Sequence, residues 1–188
     1  ATGEAKPFGE GIAITVEESE GAIVVRTRYP EKKWPLSDKG FVSYSVDFDI
    51  LMPETMPLSA RNKFGDISVE NLKANGNVTN ANGKVVFRNG KGAQRLENSF
   101  GAIELTGNTG AVDVSGANGN VSVADVIGDA QIRNRFGKVT ASRIQGKVTV
   151  SGSNGAAVAA HVKGEATETN SYGGVENRNL GTRVDAEN

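Results

Sequence analysis

The sequence predicts an all-β fold: a single parallel β-solenoid (β-helix) of about seven 18-residue coils behind an N-terminal β cap, and three observations carry the prediction. The first is repetition. "NKFGDISV", "NSFGAIEL", "NRFGKVTA" and "NSYGGVEN" start at Asn62, Asn98, Asn134 and Asn170 without insertion or deletion. "NGKVVF", "NGNVSV" and "NGAAVA" start midway between them, so Phe64, Asn82, Phe100, Asn118, Phe136, Asn154 and Tyr172 recur every 18 residues. A fixed period of this kind marks a repeat architecture. The second is apolar alternation within each repeat, the signature of a strand. The third is composition. There are 24 glycines and only 6% aromatic residues; glycine and asparagine tolerate positive φ and mark tight corners, while the alternation argues against a disordered polar chain.

In chain order, residues 1–61 lack the repeat and are expected to form the cap. "GIAITVEESEGAIVVRTRYP" reads as two strands around a Ser-Glu-Gly turn, and "FVSYSVDFDILMP" as a third. Trp34 is expected to cover the junction with the coils, and the segment around Leu58 and Ala60 to lead into the first. Residues 62–188 are the solenoid, one continuous domain. Counting each repeat from its aromatic or asparagine, apolar pairs fill positions four and six (Ile67 and Val69, Val85 and Phe87, Ile103 and Leu105, Val121 and Val123, Val139 and Ala141). A second pair fills positions thirteen and fifteen (Val112 and Val114, Ala130 and Ile132, Val148 and Val150). A ninth-position residue (Leu72, Val126, Ile144, Val162, Leu180) and a glycine (Gly110, Gly128, Gly146, Gly164) mark a second corner. Each repeat is two short strands and two corners.

Asn-Gly is also a hairpin signal, but an antiparallel meander has no need of seven equal turns. A propeller of 36-residue blades would not close with so few copies. The left-handed hexapeptide coil wants apolar residues every six positions, which this spacing does not follow. Right-handed crossovers are the rule for parallel strands, so a right-handed flattened coil is expected, about 34 Å tall at 4.8 Å per coil. Near the end, Glu168 takes an inward fifteenth position and Asn177 an inward sixth, and the last coil reads one residue short after Asn179. Polar inward residues are expected to give a partly wet terminal coil that discourages further stacking.

Function classes follow mainly by exclusion. With 21 Lys plus Arg against 22 Asp plus Glu, net charge −1 and no basic cluster, nucleic acid is not an expected partner. There is no cysteine and one histidine, His161, so no cofactor or metal site is expected. No apolar run is long enough for a membrane-spanning helix. The opening "ATGEAKPFGEG" has neither an initiator Met nor an apolar signal core, which predicts a mature or trimmed product. Opposite charges at equivalent positions (Asp129, Lys147 and Glu165; Glu70 and Arg88; Arg95 and Asp113) are expected to pair across strands. His161 is expected at the surface rather than in catalysis. Asp125 and Asp129 are the best candidates for a carbohydrate-cleaving pair, in coils too short for the loops of a cleft. The seven corner residues from Phe64 to Tyr172 are expected to form a ladder along one edge, as a buried corner first and an exposed binding stripe as the alternative.

The order "AIVVRTRYP", "VDFDILMP", then "ARNKFGDISVENLKANGNVTNANGKV" resembles the bacterial β-strand-repeat family that carries an adhesin label and has no assigned function. The likeness runs over nearly the whole chain. It implies a β-solenoid, exported or in the cell envelope (periplasm or cell surface), often tethered to a membrane, with no established enzymatic activity and some relatives linked to envelope-stress signalling. It brings no functional residues. The expected partner is a protein or glycan of the envelope, with edge-to-edge self-association in the manner of a bactofilin filament as the alternative and a polysaccharide-acting enzyme third.

Overall fold

The computed structural model describes residues 13–19, 22–28, 50–181 and 184–187. The chain divides into two units, Ala1–Val46 and Asp47–Asn188. In the first, β1 (Ala13–Ser19) and β2 (Ala22–Arg28) pair antiparallel, Ala13 opposite Arg28 and Ser19 opposite Ala22. Trp34 and most of the expected third strand fall on residues 29–49, outside the described residues; the part of it within them, Ile50–Pro53, is not strand.

The second unit is a parallel β-solenoid of about seven coils. One sheet has eight strands: β3 (Leu58–Asn62), β5 (Gly76–Asn82), β7 (Gln94–Phe100), β9 (Val112–Asn118), β11 (Ala130–Phe136), β13 (Val148–Asn154), β15 (Ala166–Tyr172) and β17 (Val184–Glu187). The other has seven: β4 (Ile67–Glu70), β6 (Val85–Lys91), β8 (Ile103–Thr109), β10 (Val121–Ile127), β12 (Val139–Ile144), β14 (Ala157–Val162) and β16 (Val175–Leu180). Every partner lies 18 residues away, as in Val121↔Val139 and Ala130↔Val148. Among the described residues there is no helix long and apolar enough to cross a membrane.

The core lies between the sheets. Positions four, six, nine, thirteen and fifteen point inward, and the fully buried set includes Phe87, Leu96, Ile103, Leu105, Ile132 and Ile144. Each such side chain is worth about 1.5–3 kcal/mol. The step of three between positions six and nine breaks strand alternation, and the backbone shows why. Asn71, Asn89, Gly107, Asp125, Arg143, His161 and Asn179, all at position eight, have φ between +51° and +74°. Pairing skips this residue: Ala124↔Ser142 is followed by Val126↔Ile144. One left-handed residue per coil acts like a bulge and returns the next side chain to the core.

Core volume tapers along the stack, from Phe87, Leu96 and Leu105 to Ala141, Ala157, Ala159 and Ala166. At the wide end small and large residues complement each other: a Cβ on Gly90 would lie 2.4 Å from the Phe87 ring, and one on Gly76 would lie 2.3 Å from Gln94 Oε1. Met52 packs against the same core ahead of β3.

The terminal coil corrects two expectations. Glu168 is not wet but only 1% exposed. Nor is the coil short, because Ala166↔Val184 and Glu168↔Ala186 keep the 18-residue register past Gly181.

Candidate functional site

The two long edges of the flattened solenoid are built differently. Along the first, the glycine at position two of each repeat from Gly83 onward is dictated twice over. Gly101 and Gly119 have φ of +116° and +148°, and a Cβ on either would lie 2.2 Å from the glycine carbonyl oxygen one coil earlier. The same glycines donate N–H to the following coil, Gly101 to Asn118 O at 2.8 Å and Gly119 to Phe136 O at 3.0 Å. The inter-coil ladder therefore continues around the bend.

Inside this bend sits an asparagine column, which the sequence pattern does not distinguish from corner residues. Asn80, Asn98, Asn134 and Asn170, at position seventeen, are buried. Their amide N–H groups donate to Gly65, Gly83, Gly119 and Gly155 carbonyls at 2.7–3.0 Å. Asn134 also donates to Phe136 O at 3.2 Å and Gly137 O at 3.1 Å. Gly116 leaves the room for it, since a Cβ there would lie 2.5 Å from Asn134 Oδ1.

With the inside of the bend occupied, the aromatic residues face out. Phe64 is 72% exposed, Phe100 56%, Phe136 42% and Tyr172 75%. This overturns the expected buried corner. Phe100 stands in register between Asn82 and Asn118, and Phe136 between Asn118 and Asn154, so rings occur on every second coil, roughly 9.6 Å apart. The intervening asparagines fold onto the wall: Asn82 donates to Lys63 O at 3.0 Å and Asn118 to Ser99 O at 3.3 Å. The Arg135 guanidinium lies 5.4 Å from the centre of the Phe136 ring.

The other edge carries the left-handed residues, whose side chains also form a ladder. Arg143 grips Asp125 through Nε and Nη2 at 2.6 and 2.8 Å, and that hydrogen bonding holds the Asp125 carboxyl below its ordinary pKa. His161 Nε2 lies 3.1 Å from Asn179 Nδ2, and the imidazole is exposed as expected. Asp129 Oδ1 accepts the Lys147 backbone N–H at 2.8 Å. Asp125 and Asp129 are thus each engaged with a neighbouring coil. On the faces, Arg88 meets Glu70 at 3.2 Å, Arg95 meets Asp113 at 3.7 Å and Lys147 meets Glu165 at 3.1 Å. These are the expected cross-strand pairs, worth about 0–1 kcal/mol each at the surface.

Among the described residues Glu168 is the most perturbed acid: burial pushes its pKa up to about 7. Among the described residues no three of His, Asp and Glu converge as metal ligands. The chain was compared with protein-family models, curated proteins and solved structures, and none matches.

Proposed function

We propose that the protein is a non-enzymatic binding scaffold of the bacterial cell envelope, adhesin-like in its logic, whose macromolecular partner lies along the aromatic edge. One observation carries this reading: four aromatic rings face solvent in a single line, held at fixed spacing by buried asparagine and glycine. Exposed aromatic surface organised this way is a mark of an interaction site. The faces, by contrast, carry short side chains and paired charges.

Proximity crosslinking in the native envelope from a probe at Asn118 tests the reading. The wild-type frame should yield specific adducts that disappear when Phe100 and Phe136 are both changed to Ser. Saturable turnover of a polysaccharide by the pure protein would refute the non-enzymatic part.

A second reading, self-assembly through coil edges, draws on the fact that among the described residues β16 and β17 each pair with a strand on one side only. Such edges recruit further strands. Light scattering decides it: only monomer over a wide concentration range removes this reading.

A further inference from the structure

The aromatic edge also carries a local excess of positive charge. Lys63 and Arg135 immediately precede Phe64 and Phe136, and Lys138 follows Gly137; all three side chains are exposed and enter no ion pair among the described residues. Lys84 on the same edge is neutralised by Glu104 at 2.8 Å. The other acid of this edge, Asp66, accepts the Lys84 backbone N–H at 2.7 Å, and Asp66 with Glu104 leaves the positive charge of Lys63, Lys84, Arg135 and Lys138 in excess. In a chain of net charge −1, this edge is cationic while the acids Glu70, Glu97, Asp113, Asp125 and Glu176 are tied to arginines elsewhere.

Spacing narrows the partner further. The rings step by roughly 9.6 Å and span roughly 29 Å from Phe64 to Tyr172 at coil spacing. An extended peptide rises about 3.3 Å per residue, so one ring step covers about three residues. Successive rings would then meet opposite faces of the strand. A glycan linked through two equatorial bonds does not have this defect. Its extended chain repeats as a disaccharide of similar length to the ring step, and each repeat offers the same flat C–H face to the electron-rich face of an aromatic ring. Carboxylates on such a chain would meet Lys63, Arg135 and Lys138.

Resting on the binding reading above, we propose that this edge binds an extended, diequatorially linked acidic polysaccharide, a polyuronate in chemical class. It would run along the solenoid axis, with a sugar face on every second coil and its carboxylates on the three free cations.

The test is calorimetric titration of the full chain with oligo-β-1,4-mannuronate at low and high salt, beside neutral cello-oligosaccharide and oligo-deoxythymidine. The mannuronate should bind most tightly. Changing Phe100 and Phe136 together to Ser should weaken it at least about tenfold at both salts. Changing Lys63, Arg135 and Lys138 to Gln should weaken it about tenfold at low salt and little at high salt, where exposed charges are screened. These cation substitutions touch no core residue, so they remain informative if the ring variant fails to fold. Affinity unaffected by either set, absence of binding to the mannuronate, or tighter binding of the deoxythymidine oligomer would each overturn the proposal. A photocrosslinker at Asn118 separates the two levels of failure. Without glycan binding, ring-dependent adducts to a protein would leave the scaffold reading standing and remove the polyuronate; no adduct would remove both.

Discussion

Glu168 makes stability depend on pH in a direction opposite to that of most acids. Its carboxyl sits at an inward position of β15, between Val150 and Ala186 along the ladder, in the alanine-rich end of the core. Burial raises its pKa from 4.5 to about 7. The unfolded chain therefore ionises this group near pH 4.5, while the folded chain keeps the proton until about pH 7. Between those values the native state binds more protons, so stability falls as pH rises; it is full below the lower value and lost above the upper. At about 1.4 kcal/mol per pH unit, the window removes on the order of 3 kcal/mol, a sizeable share of the 5–15 kcal/mol of a typical domain. Glu168→Gln keeps the shape and abolishes the titration. Urea denaturation at pH 4.5, 6, 7 and 8 should show variant and wild type nearly equal at the lowest pH and the variant ahead by roughly 3 kcal/mol at the highest. Because coils contact only their neighbours, part of the penalty will appear as opening of the last coils. Hydrogen exchange over Ala157–Glu187 should accordingly slow in the variant at pH 8. Stability curves that run parallel across this range would refute the reasoning.

Other substitutions probe the edges. Gly119→Ala combines a φ of +148° with a Cβ 2.2 Å from Gly101 O, and should lower stability by about 2–4 kcal/mol in denaturant titration. Asn134→Asp sets a carboxylate against three carbonyl oxygens at 2.9–3.2 Å; a loss of about 3 kcal/mol or more at pH 7, recovered in part on acidification, is expected from melting curves. Arg143→Gly exchanges an exposed ion pair worth roughly 0.2–1 kcal/mol for relief of left-handed strain of about 1–2 kcal/mol. Its thermal midpoint should stay level or rise slightly, and a drop equivalent to more than about 1 kcal/mol would mean that the pair outweighs the strain.

Much of this architecture was legible because the constraints repeat. Positions four, six, nine, thirteen and fifteen announce the core through apolar identity alone, and equal coil length follows from parallel stacking. Position eight stayed hidden because its occupants share a conformation and not a chemistry: Asn71, Asp125, Arg143 and His161 have little in common beyond positive φ. The only trace was the step of three between apolar residues. The asparagine column is not legible in the sequence because a polar residue at an inward site resembles turn punctuation, and its burial depends on carbonyls supplied by another coil. The exposure of the aromatics follows from this column. Large apolar residues ordinarily go inside, but the bend is filled by Asn80, Asn98 and Asn134 and closed by glycines, leaving no volume for Phe100 or Phe136. The burial of Glu168 is hidden in the sequence because β17 and its register cannot be inferred past the irregularity at Gly181.

The alternation of ring and asparagine then needs its own reason, since the corner would accept an aromatic residue on every coil. Asn118 makes only a 3.3 Å bond to Ser99 O, which is worth about 1 kcal/mol at most. Asn118→Phe would bring three successive rings to roughly 4.8 Å spacing, close enough to stack, with a gain of about 0.5–1.5 kcal/mol per pair. The variant should therefore melt higher than wild type. Its rings would face one another instead of solvent, and the edge would become one continuous apolar ridge, which favours association between copies. Light scattering should show concentration-dependent growth, and titration with oligo-β-1,4-mannuronate should show weaker binding despite the added ring. If the variant stays monomeric and binds the glycan as wild type does, the asparagines are not spacers. If it is more stable but sticky and binds poorly, the two-coil period is a compromise in which corner stability is given up to keep separate ring faces open to a ligand.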